Sequence, residues 1–185
     1  AETSLVQPNV RIMSVGPRGI PVAILLPRDG LSTKLPVLFD PYGGPHAQRV
    51  VASRAAYNSS QWFADQGFVV VIVDNTGTPG KGSAWERGIV GDLAQTVLDD
   101  QVEILRDLND LEPRADTSRV GIRGWSFGGY LAALRFNRAR GCPRRRRAGC
   151  RLRGIWRSSR PCPSQLRPSP SCRRWSWPRS RARPG

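Results

Sequence analysis

Beyond residue 134 the 185-residue chain has no Lys, Asp, Glu, Tyr or His. The whole sequence holds one histidine, His46, and its four cysteines lie at 142, 150, 162 and 172. No C-x-x-C pair occurs among them, so the usual zinc patterns are excluded, and neither a metal nor another cofactor is expected. A disulfide framework needs an oxidising compartment, and the sequence shows no charged-then-apolar leader that would take it to one. That leans the expected location toward the cytoplasm, although a chain that opens at Ala1 without methionine says little about leaders. No apolar run approaches the ~18 residues of a membrane span, so none is expected.

The net charge of +15 suggests a phosphate-rich partner, but the charge is not evenly spread. Residues 1–134 hold twelve basic and fourteen acidic residues, whereas residues 135–185 hold seventeen arginines and no acid. The first part is an ordinary, slightly acidic globular sequence and the second is not. Three regions are therefore expected: an N-terminal hairpin or linker over 1–34, a partial catalytic core over 35–134, and a tail over 135–185.

Alternation over Val10–Val15, the turn "GPRG" and the apolar run Pro21–Pro27 read as a hairpin at a sheet edge. "LPVLFD" (Leu35–Asp40) and "FVVVIVD" (Phe68–Asp74) read as buried strands of a parallel sheet. Between them, apolar residues at 55, 56, 62 and 63 and then Gly67 suggest a helix over Arg54–Gln66. Asn75–Ser83 is a glycine-rich loop. Asp92–Leu108 carries a helical apolar stripe with Asp92 as its N-cap, and Asp99, Asp100, Glu103 and Asp107 read as its solvated face. "RVGIRG" (Arg119–Gly124) is a further strand, and Ser126–Leu134 opens a helix. Strands alternating with helices imply an α/β fold with a mainly parallel sheet and helices on both faces. Ligands bind beyond the carboxyl ends of such strands, where "PYGGPH", "DNTGTPG" and "GWSFGG" fall.

Gly124–Gly128, "GWSFG", fits G-x-S-x-G. That motif places a nucleophilic serine on a tight strand-to-helix turn, where small neighbours let the backbones approach and the helix N-terminus faces a developing oxyanion. The required context is present, with a strand before and a helix after. "GWSFGGY" resembles the serine motif of the prolyl oligopeptidase family, in its dipeptidyl-peptidase-IV-like branch. "LPVLFDPYGGPHAQ" and "VDNTGTPGKGSAWER" are similar to two further segments of that branch, in the same order.

The resemblance implies a partial α/β-hydrolase fold and a serine peptidase acting on short, often proline-containing peptides. An esterase or acylaminoacyl peptidase of the same fold is the alternative. Ser126 would be the nucleophile, with the Tyr42 hydroxyl and the Phe127 backbone N–H as oxyanion donors. Read without that likeness, Tyr42 is an ordinary structural tyrosine. Trp125 and Tyr130 read as site wall and packing. Thr76 stands where family members often have Arg. Further strands after the elbow helix, and an N-terminal β-propeller joined through residues 1–34, are also implied and are absent from this sequence.

A serine nucleophile needs a base, and the base needs an orienting acid. In α/β hydrolases both follow the serine in the chain, yet nothing after Ser126 is Asp, Glu or His. His46 lies eighty residues too early to take the role. The tail has two readings. Arg144–Arg147 with Trp156, Trp175 and Trp177 could bind and stack on nucleic acid. Alternatively, its Arg, Pro, Gly, Ala, Ser, Cys and Trp are residues of G+C-rich codons read out of frame. The missing lysines and scattered cysteines favour the second. A disordered, non-native tail is then expected, with a peptide substrate as the partner and nucleic acid only if the tail is genuine.

Overall fold

The computed structural model describes residues 7–30 and 33–140. Its elements follow in the order β1 (Val10–Val15), β2 (Ile20–Leu25), β3 (Leu35–Phe39), α1 (Asn58–Asp65), β4 (Val69–Val73), α2 (Ser83–Arg87), α3 (Gln95–Leu111), β5 (Ala115–Ile122) and α4 (Phe127–Arg140). The strands form one sheet in the order β1-β2-β4-β3-β5, with β1 and β2 antiparallel and β3 parallel to both β4 and β5. This is the expected α/β architecture.

β4 shows why the sheet is buried on both faces. All five of its residues are buried; Val69, Val71 and Val73 join one core cluster, Val70 and Ile72 the other. The two-residue period of a strand sends neighbours to opposite faces, so a continuous apolar run serves two layers. On one face Ile104 and Leu108 of α3 and Ala132 of α4 pack against Val37, Phe39, Val120 and Ile122. On the other, Ala64 of α1 and Tyr57 pack against Leu38, Val70 and Ile72.

Chain order then fixes the place of the site. β3 leads through α1 to β4 on one face, and β4 returns through α3 on the other face to β5, which lies on the far side of β3. The chains leaving β3 and β5 thus diverge to opposite faces, which opens a crevice at their carboxyl ends.

Several details differ from the sequence reading. The helix expected over Arg54–Gln66 begins as a 3₁₀ turn at Arg54–Tyr57, and its buried face is Tyr57, Ser60, Gln61 and Ala64. Ala55, Ala56 and Trp62 are exposed. Polar side chains turn inward because they have partners there: Gln61 Nε2 donates to the Leu26 carbonyl (3.0 Å) and Ser60 Oγ to Asp40 (3.0 Å). Asp100 is not on a solvated face. It is buried, accepting from the Thr76 N–H (2.7 Å) and pairing with Arg18 (2.7 Å). Asp92 is not the N-cap of α3: the helix begins at Gln95 with Ala94 as its N-cap, and the Asp92 carboxylate, in the preceding turn, accepts from the N–H groups of Ala94 (3.0 Å) and Gln95 (2.7 Å). An unforeseen short helix, α2, starts at Ser83 where the glycine-rich loop ends, β5 begins four residues before Arg119, and α4 continues past Leu134 to Arg140. The rest of the expected tail, 141–185, lies outside the described residues.

Candidate active site

β5 delivers the chain to a tight reversal. The Arg123 N–H still pairs with the Phe39 carbonyl (2.9 Å), and α4 begins at Phe127, so the turn has only Gly124–Ser126 to complete. Among the described residues Ser126 is the one non-glycine with positive φ, at 55°. A side chain in that region costs on the order of 1–3 kcal/mol and persists only where its surroundings enforce it. They do so here by crowding. A Cβ on Gly124 would fall 2.2 Å from the Gly128 carbonyl carbon, and one on Gly128 would fall 2.1 Å from the Pro41 carbonyl oxygen. Ser126 is exposed at the apex. The N–H groups of Phe127 and Gly128, in the first turn of α4, have no acceptor among the described residues and point their partial positive charge to the crevice.

The loop leaving β3, Pro41–Val50, packs against that turn. Tyr42 is half-buried and its Cα lies against Gly128. The tyrosine ring and the Phe127 Cβ both border Gly44, each within 3.5 Å of the position a Cβ there would take. Ser126, Phe127 and Tyr42 are therefore brought together. No hydrogen bond to the Tyr42 hydroxyl occurs among the described residues.

Charge holds this loop in place. Asp40, 1% exposed, follows β3 directly; it accepts hydrogen bonds from Arg49 Nη2 (3.0 Å) and Ser60 Oγ (3.0 Å) and forms an ion pair with Arg123 Nε (3.3 Å). Arg49 Nη1 also donates to the Asp40 carbonyl (2.8 Å), so the loop closes on its own origin. The N–H groups of Arg49 and Val50 donate to the Asp74 carboxylate (2.9–3.1 Å) at the end of β4. Burial pushes the Asp74 carboxyl above the usual carboxylate range, against the pull of those N–H donors and of Arg49. The Tyr57 hydroxyl donates to the Val51 carbonyl (2.9 Å) and accepts its N–H (2.8 Å). Asn75 Nδ2 donates to the Gly43 carbonyl (3.3 Å). The Arg123 guanidinium stacks 3.9 Å over the Phe63 ring.

Asp40, Arg49, Asp74 and Arg123 escaped the sequence reading. The available signal was an aspartate closing each of two fully apolar strand runs, "LPVLFD" and "FVVVIVD". A buried charge must be paired or hydrogen-bonded: Asp40 pairs with the Arg49 and Arg123 guanidinium groups, and Asp74 accepts from the Arg49 and Val50 backbone N–H groups. His46 lies exposed on the Tyr42 loop. Trp125 is 85% exposed, and Tyr130, 51% exposed, sets its ring beside that of Phe127 with centroids 5.6 Å apart. The Thr76 hydroxyl accepts from Arg18 Nη1 (3.2 Å), whose Nη2 pairs with Asp100 and Glu103. A cavity of about 20 Å³ between α3 and β5 borders Gln101, Phe39 and Gly121; Tyr42, Ser126 and Phe127 do not line it. Among the described residues no cluster of His, Cys, Asp and Glu could hold a metal, and no helix is long and apolar enough to cross a membrane.

Residues 55–141 match the model of the prolyl oligopeptidase family. This part of the chain belongs to that family. The match takes in Asp74, Arg123, Ser126 and Phe127 and begins after Tyr42 and His46. The chain is 37% identical over 103 residues to a probable dipeptidyl peptidase 4 of Aspergillus flavus, covering 54% of this chain and 13% of that relative. Its fold is similar to the crystal structure of Porphyromonas gingivalis dipeptidyl peptidase 4 (TM-score 0.58, 30% identity), covering 69% of this chain and 18% of that one. It is also similar to that of Pyrococcus horikoshii acylaminoacyl peptidase (TM-score 0.58, 21% identity, 71% and 21% covered), a likeness of fold alone. The prolyl oligopeptidase segment is thus a partial domain, spanning between about an eighth and a fifth of these relatives.

Proposed function

We propose that the chain carries the nucleophile-and-oxyanion part of a serine peptidase of the dipeptidyl-peptidase kind, acting on short peptides. The observation that carries this reading is Ser126. It is a strained, exposed serine on a strand-to-helix turn, facing free α4 N–H groups and the Tyr42 loop. The expected step is attack of Ser126 Oγ on a substrate carbonyl carbon. The carbonyl oxygen becomes an oxyanion, held by the Phe127 N–H and the Tyr42 hydroxyl. Collapse of the adduct expels the amine and leaves an acyl ester on Ser126, which water then hydrolyses.

Each transfer needs a base for the serine proton and an acid for the leaving amine. Within these 185 residues no Asp, Glu or His follows Ser126. Ser126 then has oxyanion stabilisation without activation, and peptide turnover by this chain is expected to be absent or nearly so. The likeness to acylaminoacyl peptidase in fold supports one alternative, an acyl-peptide or ester substrate at the same serine.

A fluorophosphonate probe with added imidazole tests the reading. Imidazole takes the Ser126 proton, the Oγ–P bond forms and fluoride leaves. Labelling should rise with imidazole, map to Ser126 and vanish in Ser126→Ala. Labelling that is unaffected by Ser126→Ala would remove the proposal.

A further inference from the structure

Resting on the reading of Ser126 and Tyr42 above, we propose that Arg123 is a positioning residue of the oxyanion site. Paired with Asp40, it fixes the register between the loop that carries Tyr42 and the turn that carries Ser126.

The two donors reach the crevice from different strands. Tyr42 follows β3 by three residues, and Phe127 follows β5 by five. The β3–β5 ladder aligns the strands only as far as Phe39 and Ile122, with the Arg123 N–H adding one bond to the Phe39 carbonyl. Past that point no main-chain ladder joins the two segments. They touch where Gly128 lies against Pro41 and the Tyr42 Cα, and they are tied by charge through Asp40, immediately before Pro41, and Arg123, immediately before Gly124, at 3.3 Å. Asp40 Oδ2 is already committed to Arg49 and Ser60, which anchor it to the loop's far end and to α1. Arg123 is held on its other side by the Phe63 ring, also on α1. The ion pair therefore ties the turn to an anchored carboxylate and does not float at the surface.

Geometry makes this tie consequential. An oxyanion accepts well only from donors about 2.7–3.1 Å away, so an ångström of slip between the two segments spoils the site while leaving the fold intact. The contact of Gly128 with Pro41 limits how closely the turn approaches the loop, and the Asp40–Arg123 pair beside it resists sliding of one segment along the other.

The chain has three tyrosines, Tyr42, Tyr57 and Tyr130. Incorporated 3-fluorotyrosine should give three ¹⁹F resonances, assigned by Tyr→Phe variants. In Arg123→Met, which keeps the stem and removes the charge, the Tyr42 resonance should shift or broaden. Tyr57, held by Val51, should stay in place, and Arg123→Lys should restore much of the Tyr42 position. Imidazole-supported labelling of Ser126 should fall about tenfold in Arg123→Met and recover in Arg123→Lys. An unmoved Tyr42 resonance in folded Arg123→Met would overturn the proposal. Should Arg123→Met fail to fold, Asp40→Asn is read in its place: a displaced Tyr42 resonance with Tyr57 fixed supports the tie, and an unmoved one overturns it. If the parent chain is not labelled at Ser126 at all, the functional reading fails while the resonance shifts still decide the role of Arg123.

Discussion

The turn at Ser126 and the loop of Tyr42 meet in one crevice but are held by different forces. The turn is held by exclusion. Gly124 and Gly128 leave no room for a methyl group, and Ser126 is pressed into a backbone region that side chains avoid. The loop is held by two buried carboxylates: Asp40 pairs with the Arg49 and Arg123 guanidinium groups, and Asp74 accepts from the loop's own N–H groups. Crowding fixes the conformation of one short segment. Ion pairs reach across longer distances and fix segments relative to one another. A site assembled from two strand ends needs both.

The largest effect should come from breaking the crowded side. Gly128→Ala drives a methyl group into the Pro41 carbonyl, a backbone atom that cannot rotate away. It should cost about 3 kcal/mol or more in denaturant unfolding. Next, Asp40→Ala leaves Arg49 and Arg123 facing each other without their shared carboxylate. Breaking a fully buried pair costs about 3–5 kcal/mol, but both arginines are about a quarter exposed and can recruit water. A loss nearer 2 kcal/mol is expected, with a shifted Tyr42 signal.

How legible these two mechanisms were in the sequence follows from their chemistry. Crowding selects glycine, and "GWSFGG" shows its glycines at fixed spacing beside a strand and a helix. The α/β order and the placing of Ser126 on a strand-to-helix turn were therefore readable, whereas the parts expected of Tyr42 and Phe127 came through likeness to a family. Ion pairs leave no spacing signature, because Asp40 and Arg123 are far apart in sequence and meet only after β3 and β5 pair. Asp100 was assigned to solvent for the same reason: its partner Arg18 lies in the hairpin, 82 residues away. The inward face of α1 was misread because Ser60 and Gln61 are buried by hydrogen bonds, which hydrophobic periodicity does not register.

Smaller effects sharpen the contrast. Ser126→Gly relieves the positive φ, at the expense of a more flexible unfolded chain. It should raise stability by about 1 kcal/mol while abolishing labelling, the opposite signs marking a residue strained for its position. Asp116, away from the crevice, offers a control. Hydrogen bonds from Ser118 and Arg119 hold its carboxyl down at about 2. A carboxyl depressed by folding stabilises the protein above its unfolded value, near 3.8, and that contribution fades as pH falls toward 2. Asp116→Asn should flatten acid unfolding in that window, a small change seen in fluorescence titration, and leave the Tyr42 resonance untouched.

On the reading proposed above, Ser126 has oxyanion donors, while no base or orienting acid follows it within these 185 residues. The rate of fluorophosphonate labelling at increasing imidazole concentration, in the parent chain and in Tyr42→Phe, is the decisive measurement. The rate should climb with neutral imidazole and fall in Tyr42→Phe without loss of melting temperature, with the label on Ser126. A rate that is indifferent to imidazole, or equal in the parent and Tyr42→Phe, would contradict that reading.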